Sequence, residues 1–128
     1  MVGYSVNIEQ ATLANPDFRT VLYTAPHSQL VLMTIAPGGE IGTEHHEGHD
    51  QFIRVEAGEG VVILDGERHA LSHGTAVVIP SGTEHNVLNM SATEPLRLYT
   101  IYSPPEHPDG TVHRTKADAD EAELAHHV

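Results

Sequence analysis

Eleven of the 128 residues are histidines, and their side chains are the ones with the clearest capacity for chemistry. A neutral imidazole binds divalent metals, and an imidazole can also carry protons near neutral pH. The most informative histidines lie in two segments between residues 37 and 89, PGGEIGTEHHEGHDQFIRVEAGEG and GTAVVIPSGTEHNVLN. The first segment mixes histidines with acidic residues, so it indicates a metal site or a site of proton transfer.

Glu44 and His46 are two residues apart, and residues at that spacing on a strand point to the same face. Gln51 begins the next predicted strand, and His85 begins another strand after a turn. Hairpins that return the chain would bring all four donors to one space. Such a mixed oxygen and nitrogen set suits one divalent transition metal (Fe, Mn, Ni, Cu or Zn), and the absence of cysteine excludes thiolate sites.

The first segment resembles the first motif of the cupin superfamily. Gly38 is followed after five residues by Glu44, then by His46 and Gln51, and after six more residues by Gly58. The family pattern is a glycine, five residues, His-x-His, three or four residues, Glu, six residues and a glycine, so its spacing matches this chain. The resemblance implies that these polar residues are metal ligands.

The second segment resembles the second cupin motif at every position. Gly74 is followed after five residues by Pro80, then by Gly82, His85 and Asn89. The resemblance covers roughly residues 37–102. It implies an all-β fold, the cupin-type double-stranded β-helix or jelly-roll barrel.

Two departures from the family pattern leave the ligand set open. Glu44 stands where the family has its first histidine, and Gln51 stands where the family has its glutamate. A rival register that starts from Gly39 would make His45 and Glu47 the ligands instead. We favour the first register because it keeps two imidazoles in the site, but the sequence leaves open which pair points inward.

The favoured set of Glu44, His46 and His85 has the two-histidine, one-carboxylate composition of many non-haem iron(II) sites. The resemblance then implies a mononuclear metal-dependent enzyme that acts on a small oxygenated organic molecule, with dioxygenase-type chemistry ranked first. A sugar-isomerase-like or lyase-like cupin is one alternative. A cupin that binds a small molecule without catalysis is another, because one fold hosts many functions.

The elements that must position these side chains are predicted to be strands. Short β-branched and apolar runs alternate with Gly, Pro and Asp turns, and the pair Asp65-Gly66 indicates a two-residue hairpin. The predicted strands are 5–10, 18–24, 29–36, 41–46, 51–57, 60–65, 68–72, 76–79, 85–90 and 96–102.

The length predicts one domain, residues 1–128, with a barrel core over about residues 18–103. A C-terminal extension follows over residues 104–128. Its acidic, alanine-rich end predicts a short helix, and residues 107–113 could fold over a barrel mouth.

Charge and composition exclude several partners. The net charge of −12 disfavours nucleic acid and anionic membrane surfaces, and no apolar run is long enough to span a membrane. No secretory signal is visible, so we expect a cytoplasmic protein. The runs LVLMTIA and LRLYTIY are apolar on both faces, which predicts that a homodimer covers one sheet.

Overall fold

The computed structural model describes residues 2–126, and these form nine β-strands and two short α-helices. The elements, in chain order, are α1 (Ile8–Ala14), β1 (Arg19–Thr24), β2 (Gln29–Ile35), β3 (Asp50–Ala57), β4 (Gly60–Leu64), β5 (Glu67–Leu71), β6 (Ala76–Ile79), β7 (His85–Asn89), β8 (Leu96–Ser103), β9 (Val112–His113) and α2 (Lys116–His126). The all-β prediction is confirmed.

The strands form two antiparallel sheets. The larger sheet has the order β6-β3-β8-β2-β1-β9, and the smaller sheet has the order β5-β4-β7. Inward-facing side chains of both sheets meet in one hydrophobic cluster, which includes Val31, Met33, Ile53, Val55, Val62, Val87, Leu98 and Tyr102. This shared core fixes the two sheets against each other, so residues from distant parts of the sequence hold constant positions.

Eight of the ten predicted strands are present, and the predicted hairpin between β4 and β5 is confirmed. Asp65 has φ 47° and Gly66 has φ 84°, the two positive angles that a type I′ turn requires. Aspartate and glycine tolerate these angles better than most other residues do, so the Asp65-Gly66 pair predicted the turn correctly.

The predicted strand over residues 5–10 is wrong, because the chain enters helix α1 at Ile8. Asn7 caps this helix, since its Oδ1 accepts a hydrogen bond from the backbone N–H of Gln10 at 3.0 Å. The alternating apolar residues of this stretch are typical of a strand, but the asparagine cap stabilises the helix.

The predicted strand over residues 41–46 is also wrong as a regular strand. Only isolated bridges join this stretch to β7, one from Glu40 and one from Glu44. Gly42 has φ +108°, and its N–H donates to the side chain of Asn86 at 2.9 Å. A side-chain acceptor thus replaces a backbone partner, which interrupts the ladder but keeps the segment alongside β7.

The C-terminal extension folds back onto the barrel. Strand β9 pairs with β1, and helix α2 packs against β9. The N–H of Val21 also donates to the carbonyl of Thr111 at 2.9 Å. The predicted terminal helix is confirmed, and it lies at the end of the barrel that carries Glu44, because both line the same cavity.

The outer face of the larger sheet has a cover within the chain. Helix α1 packs against β2, β3 and β8, and its Thr12 is fully buried. The chain itself therefore covers part of the face for which we predicted a second subunit. The homodimer stays a prediction. None of the helices formed by residues 2–126 combines the length and the apolar character needed to cross a membrane.

Candidate metal centre

Glu44, His46 and His85 come together at one end of the barrel. One potential ligand atom from each lies within 4.8 Å of the other two. The N–H of Glu44 donates to the carbonyl of His85 at 2.8 Å, and the N–H of His85 donates back to Glu44 at 2.9 Å. This pair of backbone bonds fixes the segment that holds Glu44 and His46 against the start of β7. The imidazole rings of His46 and His85 are 5.5 Å apart.

The backbone sets the orientation of the His85 ring. Its Nδ1 is 2.8 Å from the carbonyl oxygen of Thr83, which can only accept a hydrogen bond. Nδ1 must therefore carry the hydrogen, and Nε2 keeps a free lone pair. His85 is only 5% exposed, so the ring has little freedom to turn away. A histidine held in this way is arranged as a metal ligand commonly is.

A second carboxylate orients His46. Its Nε2 contacts the Oε2 of Glu44, and its Nδ1 lies 3.5 Å from the Oε1 of Glu106. The other oxygen of Glu106 lies 3.1 Å from the Nε2 of His49. Glu106 thus connects two histidines and leaves the Nε2 of His46 directed toward Glu44.

The charges of Glu44 and His46 depend on each other. Burial raises the pKa of Glu44, but the hydrogen bond and positive charge of His46, together with the nearby charge of Arg19, outweigh this effect and hold the pKa below its usual range. The hydrogen bond to Glu44 raises the pKa of His46, against the opposing effect of burial. A divalent cation that binds Nε2 of His46 must displace the proton that this nitrogen shares with Glu44. The charge of the cation then replaces the charge of the imidazolium.

Gln51 lies at the start of β3 and is only 5% exposed. Its Nε2 donates to Thr100 at 3.0 Å, whereas its buried Oε1 has no hydrogen-bond partner among the described residues. An orphaned buried acceptor is costly, and a bound cation would satisfy it. Gln51 also pairs with Tyr102, whose ring is 6.1 Å from that of His46. The donor set therefore fits a divalent metal.

The residues of the rival register point away from this cluster. The side chains of His45 and Glu47 are 53% and 75% exposed and contact each other at 3.2 Å. Those of His46 and Glu44 are only 16% and 23% exposed. The structure places the first register inward and the rival register on the surface.

A cavity of about 890 Å³ adjoins the cluster. It is lined by residues from β1, the segment around Glu44, the stretch 106–113 and helix α2, including Arg19, Ile41, Glu106, His107, Lys116 and Glu123. Neither motif pointed to Arg19, Glu106 or Lys116 as functional residues. These residues lie outside both motifs in the sequence. Local patterns therefore gave no indication that the C-terminal extension contributes to the site.

His107 is an interior histidine of a different kind. Its ring packs edge-on against Tyr102 at 5.2 Å, and its Nε2 is buried without a hydrogen-bond partner among residues 2–126. Burial, assisted by the positive charge of Arg19, lowers the pKa of His107 to about 3. Residues of the stretch 107–113 line the cavity, and His107 contributes a neutral imidazole to its wall.

Comparison with known proteins identifies the family. Residues 31–102 match the Cupin domain family. The uncharacterized protein YrkC of Bacillus subtilis is 48% identical over 126 residues, which cover 94% of this chain and 67% of YrkC. The crystal structure of BH2720 from Bacillus halodurans superposes with a TM-score of 0.90 at 45% identity, over 92% of this chain and 93% of that one.

A shorter match involves the beta-alanine degradation protein BauB of Pseudomonas aeruginosa. It is 44% identical over 63 residues, which cover 46% of this chain and 64% of BauB. The family match includes both motif segments and most of the larger sheet, and the superposition confirms the jelly-roll fold. The chain belongs to the cupin superfamily, and its barrel carries a glutamate and histidine cluster that can hold a metal ion.

Proposed function

We propose that this cupin is a mononuclear metal-dependent enzyme that acts on a small oxygenated organic molecule. Glu44, His46 and His85 bind one divalent transition metal, and the Oε1 of Gln51 is a weaker fourth donor. Among the possible reactions, we favour dioxygenase-type chemistry. The observation that carries the proposal is the convergence of the three ligand atoms within 4.8 Å beside a cavity of about 890 Å³.

The composition of the site supports this ranking. Two imidazoles and one carboxylate leave coordination positions open, as in many non-haem iron(II) oxygenases. A bound metal of this kind supplies Lewis acidity and, if it is iron, one-electron chemistry with dioxygen. The protein holds the two imidazole ligands in position, because the carbonyl of Thr83 fixes the ring of His85 and the carboxylate of Glu106 fixes that of His46.

The cavity supports a small organic substrate. Its volume falls within the usual range for small-molecule sites, and its lining includes both apolar and charged side chains. The stretch 106–113 and helix α2 form part of its wall, so they reduce the contact of a bound molecule with bulk water. BauB is named for degradation of beta-alanine, a small molecule, and this name is in keeping with the proposed substrate size.

One observation favours the isomerase or lyase alternative. These reactions need a base to accept a proton from the substrate. The side chain of Glu106 lines the cavity and is 24% exposed, so a carboxylate is available there. If Glu106 takes this role, the base acts from the far side of the His46 ring, because Glu106 contacts Nδ1 and the proposed metal binds Nε2.

Elemental analysis tests metal binding. The untagged protein, purified without added metal, should contain one transition metal per chain. The double variant His46→Ala, His85→Ala should contain none. The matched control His45→Ala, His69→Ala removes two exposed histidines and should keep the metal. No metal in the parent after reconstitution contradicts the proposal and favours a cupin that only binds a small molecule.

Nitric oxide tests for open coordination positions. When the protein is loaded anaerobically with iron(II), nitric oxide should bind and give the paramagnetic signal of an iron nitrosyl. A site closed by protein ligands would give no such signal. That result would exclude dioxygenase-type chemistry even if iron is bound stoichiometrically.

A further inference from the structure

Arg19 is a buried cation whose side chain lines the cavity. It begins strand β1, is only 7% exposed and shares the inward face with Val21. Glu44 and His46 line the same cavity. An inward-pointing guanidinium is costly to bury unless an acceptor or an anion meets it.

The described residues satisfy Arg19 only in part. Its Nη1 lies 3.3 Å from the Nδ1 of His113, and its guanidinium carbon is 5.3 Å from the centre of the Phe18 ring. Its Nε is buried with no hydrogen-bond partner among residues 2–126. Within the same residues, Arg19 forms no ion pair with a carboxylate.

Most of the other charged side chains around the cavity have partners. Lys116 pairs with Asp120 at 2.8 Å, Glu44 contacts His46, and Glu106 contacts both His46 and His49. His113 brings no negative charge, because its neutral ring can only accept from Arg19 at Nδ1. Glu123 also lines the cavity, and the charge of Arg19 helps to lower the pKa of Glu44, but no carboxylate of the described residues lies within ion-pair distance of Arg19.

We propose that Arg19 binds the carboxylate of a small organic acid in this cavity, so the substrate of the metal centre is a carboxylate anion. The inference rests on the proposed function, and it adds the chemical class of the substrate. A guanidinium presents several N–H donors in a plane and suits the two oxygens of a carboxylate.

The charge balance favours a carboxylate over a phosphate. The single free charge of Arg19 neutralises one negative charge. A second negative charge would face the acidic side chains of Glu44, Glu106, Asp120 and Glu123, which also line the cavity. A carboxylate carries one charge at neutral pH, whereas a phosphate ester carries nearly two.

The test compares propionate with propionamide, which has nearly the same shape but no charge. Each is titrated into the metal-free protein while the side-chain N–H resonance of Arg19 is followed by nuclear magnetic resonance. Propionate should shift this resonance and bind, and propionamide should bind at least about tenfold more weakly, as expected for loss of a charge-assisted hydrogen bond.

The variants separate a binding role from a packing role. Arg19→Met should weaken propionate binding about tenfold or more, and Arg19→Lys should keep part of it because the charge remains. Lys116→Met is the matched control, since Lys116 lines the same cavity but already pairs with Asp120, and it should bind propionate about as the parent does. Amide spectra establish that each variant is folded.

Several outcomes overturn the proposal. They are equal binding of propionate and propionamide, unchanged binding in Arg19→Met, or no response of the Arg19 resonance to propionate. If Arg19→Met does not fold, the Arg19→Lys variant provides the test. Propionate binding by Arg19→Lys equal to that of the parent would contradict a two-pronged contact between the guanidinium and the carboxylate. The titration uses metal-free protein, so its result is independent of whether the chain binds metal.

Discussion

Two histidine and glutamate pairs lie side by side in this chain and face opposite environments. Glu44 and His46 meet inside the barrel mouth, where their side chains are 23% and 16% exposed. His45 and Glu47 meet on the surface, where their side chains are 53% and 75% exposed. The pairs have the same chemical groups and spacing and are offset by one residue, so composition cannot explain the difference between them.

The difference comes from what surrounds each pair. The inner pair has His85 as a third donor and Glu106 as a second carboxylate on His46. The outer pair has water, and exposed ion pairs of this kind contribute little. A metal site thus needs a third ligand and a buried setting in addition to two adjacent donors.

The largest expected effect is a difference in metal affinity between variants of Glu44 and Glu47. Glu44→Gln should weaken metal binding by at least about 100-fold, because it removes the only anionic ligand of the proposed set. Glu47→Gln makes the same chemical change in the outer pair and should leave affinity within about twofold. Competition with a chromophoric chelator measures both constants. Similar losses in the two variants would mean that the inner pair is not the site.

A smaller loss is expected from Glu106→Gln, because Glu106 orients His46 without being a proposed ligand. Mutation of such supporting residues typically costs about 10–100-fold in metal affinity. The same chelator competition measures it, with Glu123→Gln as the control, since Glu123 also lines the cavity. Unchanged affinity in Glu106→Gln would show that the 3.5 Å contact to His46 does not support the metal.

Metal affinity should fall as the pH is lowered, because protons compete for the imidazoles. The hydrogen bond to Glu44 raises the pKa of His46, so the decline should begin above pH 6.5, at about tenfold per pH unit for each proton displaced. Metal titrations between pH 8 and pH 5 would measure it. Affinity that is independent of pH across this range would contradict histidine ligation.

The smallest expected effect concerns His107, a buried histidine that forms no ion pair with a carboxylate within residues 2–126. The folded protein keeps His107 neutral down to a pKa of about 3, whereas the unfolded chain takes up the proton near pH 6.5. Its contribution to stability is therefore complete above pH 6.5 and is lost as the pH falls, by at most about 1.4 kcal/mol per pH unit.

Urea unfolding at pH 7 and pH 5 in the presence of a chelator tests this sign. The loss of unfolding free energy on acidification should be smaller in His107→Asn than in the parent. His69→Asn, which changes an exposed histidine, should behave like the parent. An equal loss in all three proteins would mean that His107 is protonated alike in the folded and unfolded chains.

Much of the barrel could be predicted because its signals are local. Eight of the ten strands predicted from the β-branched runs are present, and Asp65-Gly66 specified the hairpin through two positive φ angles. The errors at residues 5–10 and 41–46 have one cause. Side-chain acceptors, Asn7 for the helix and Asn86 for the irregular segment, compete with the strand ladder, and alternation of apolar residues does not register such competition.

The sequence by itself determined the fold class, the two motifs and the candidates for metal ligation, because strand period and turn chemistry depend on residues close together in the chain. Only the tertiary structure decided which of the adjacent pairs points inward. It also decided that the C-terminal extension lines the cavity and that Arg19 is buried there with no carboxylate of the described residues within ion-pair distance. These features depend on contacts across wide sequence separation, such as His46 with Glu106 and Arg19 with His113, and local patterns carry no record of them.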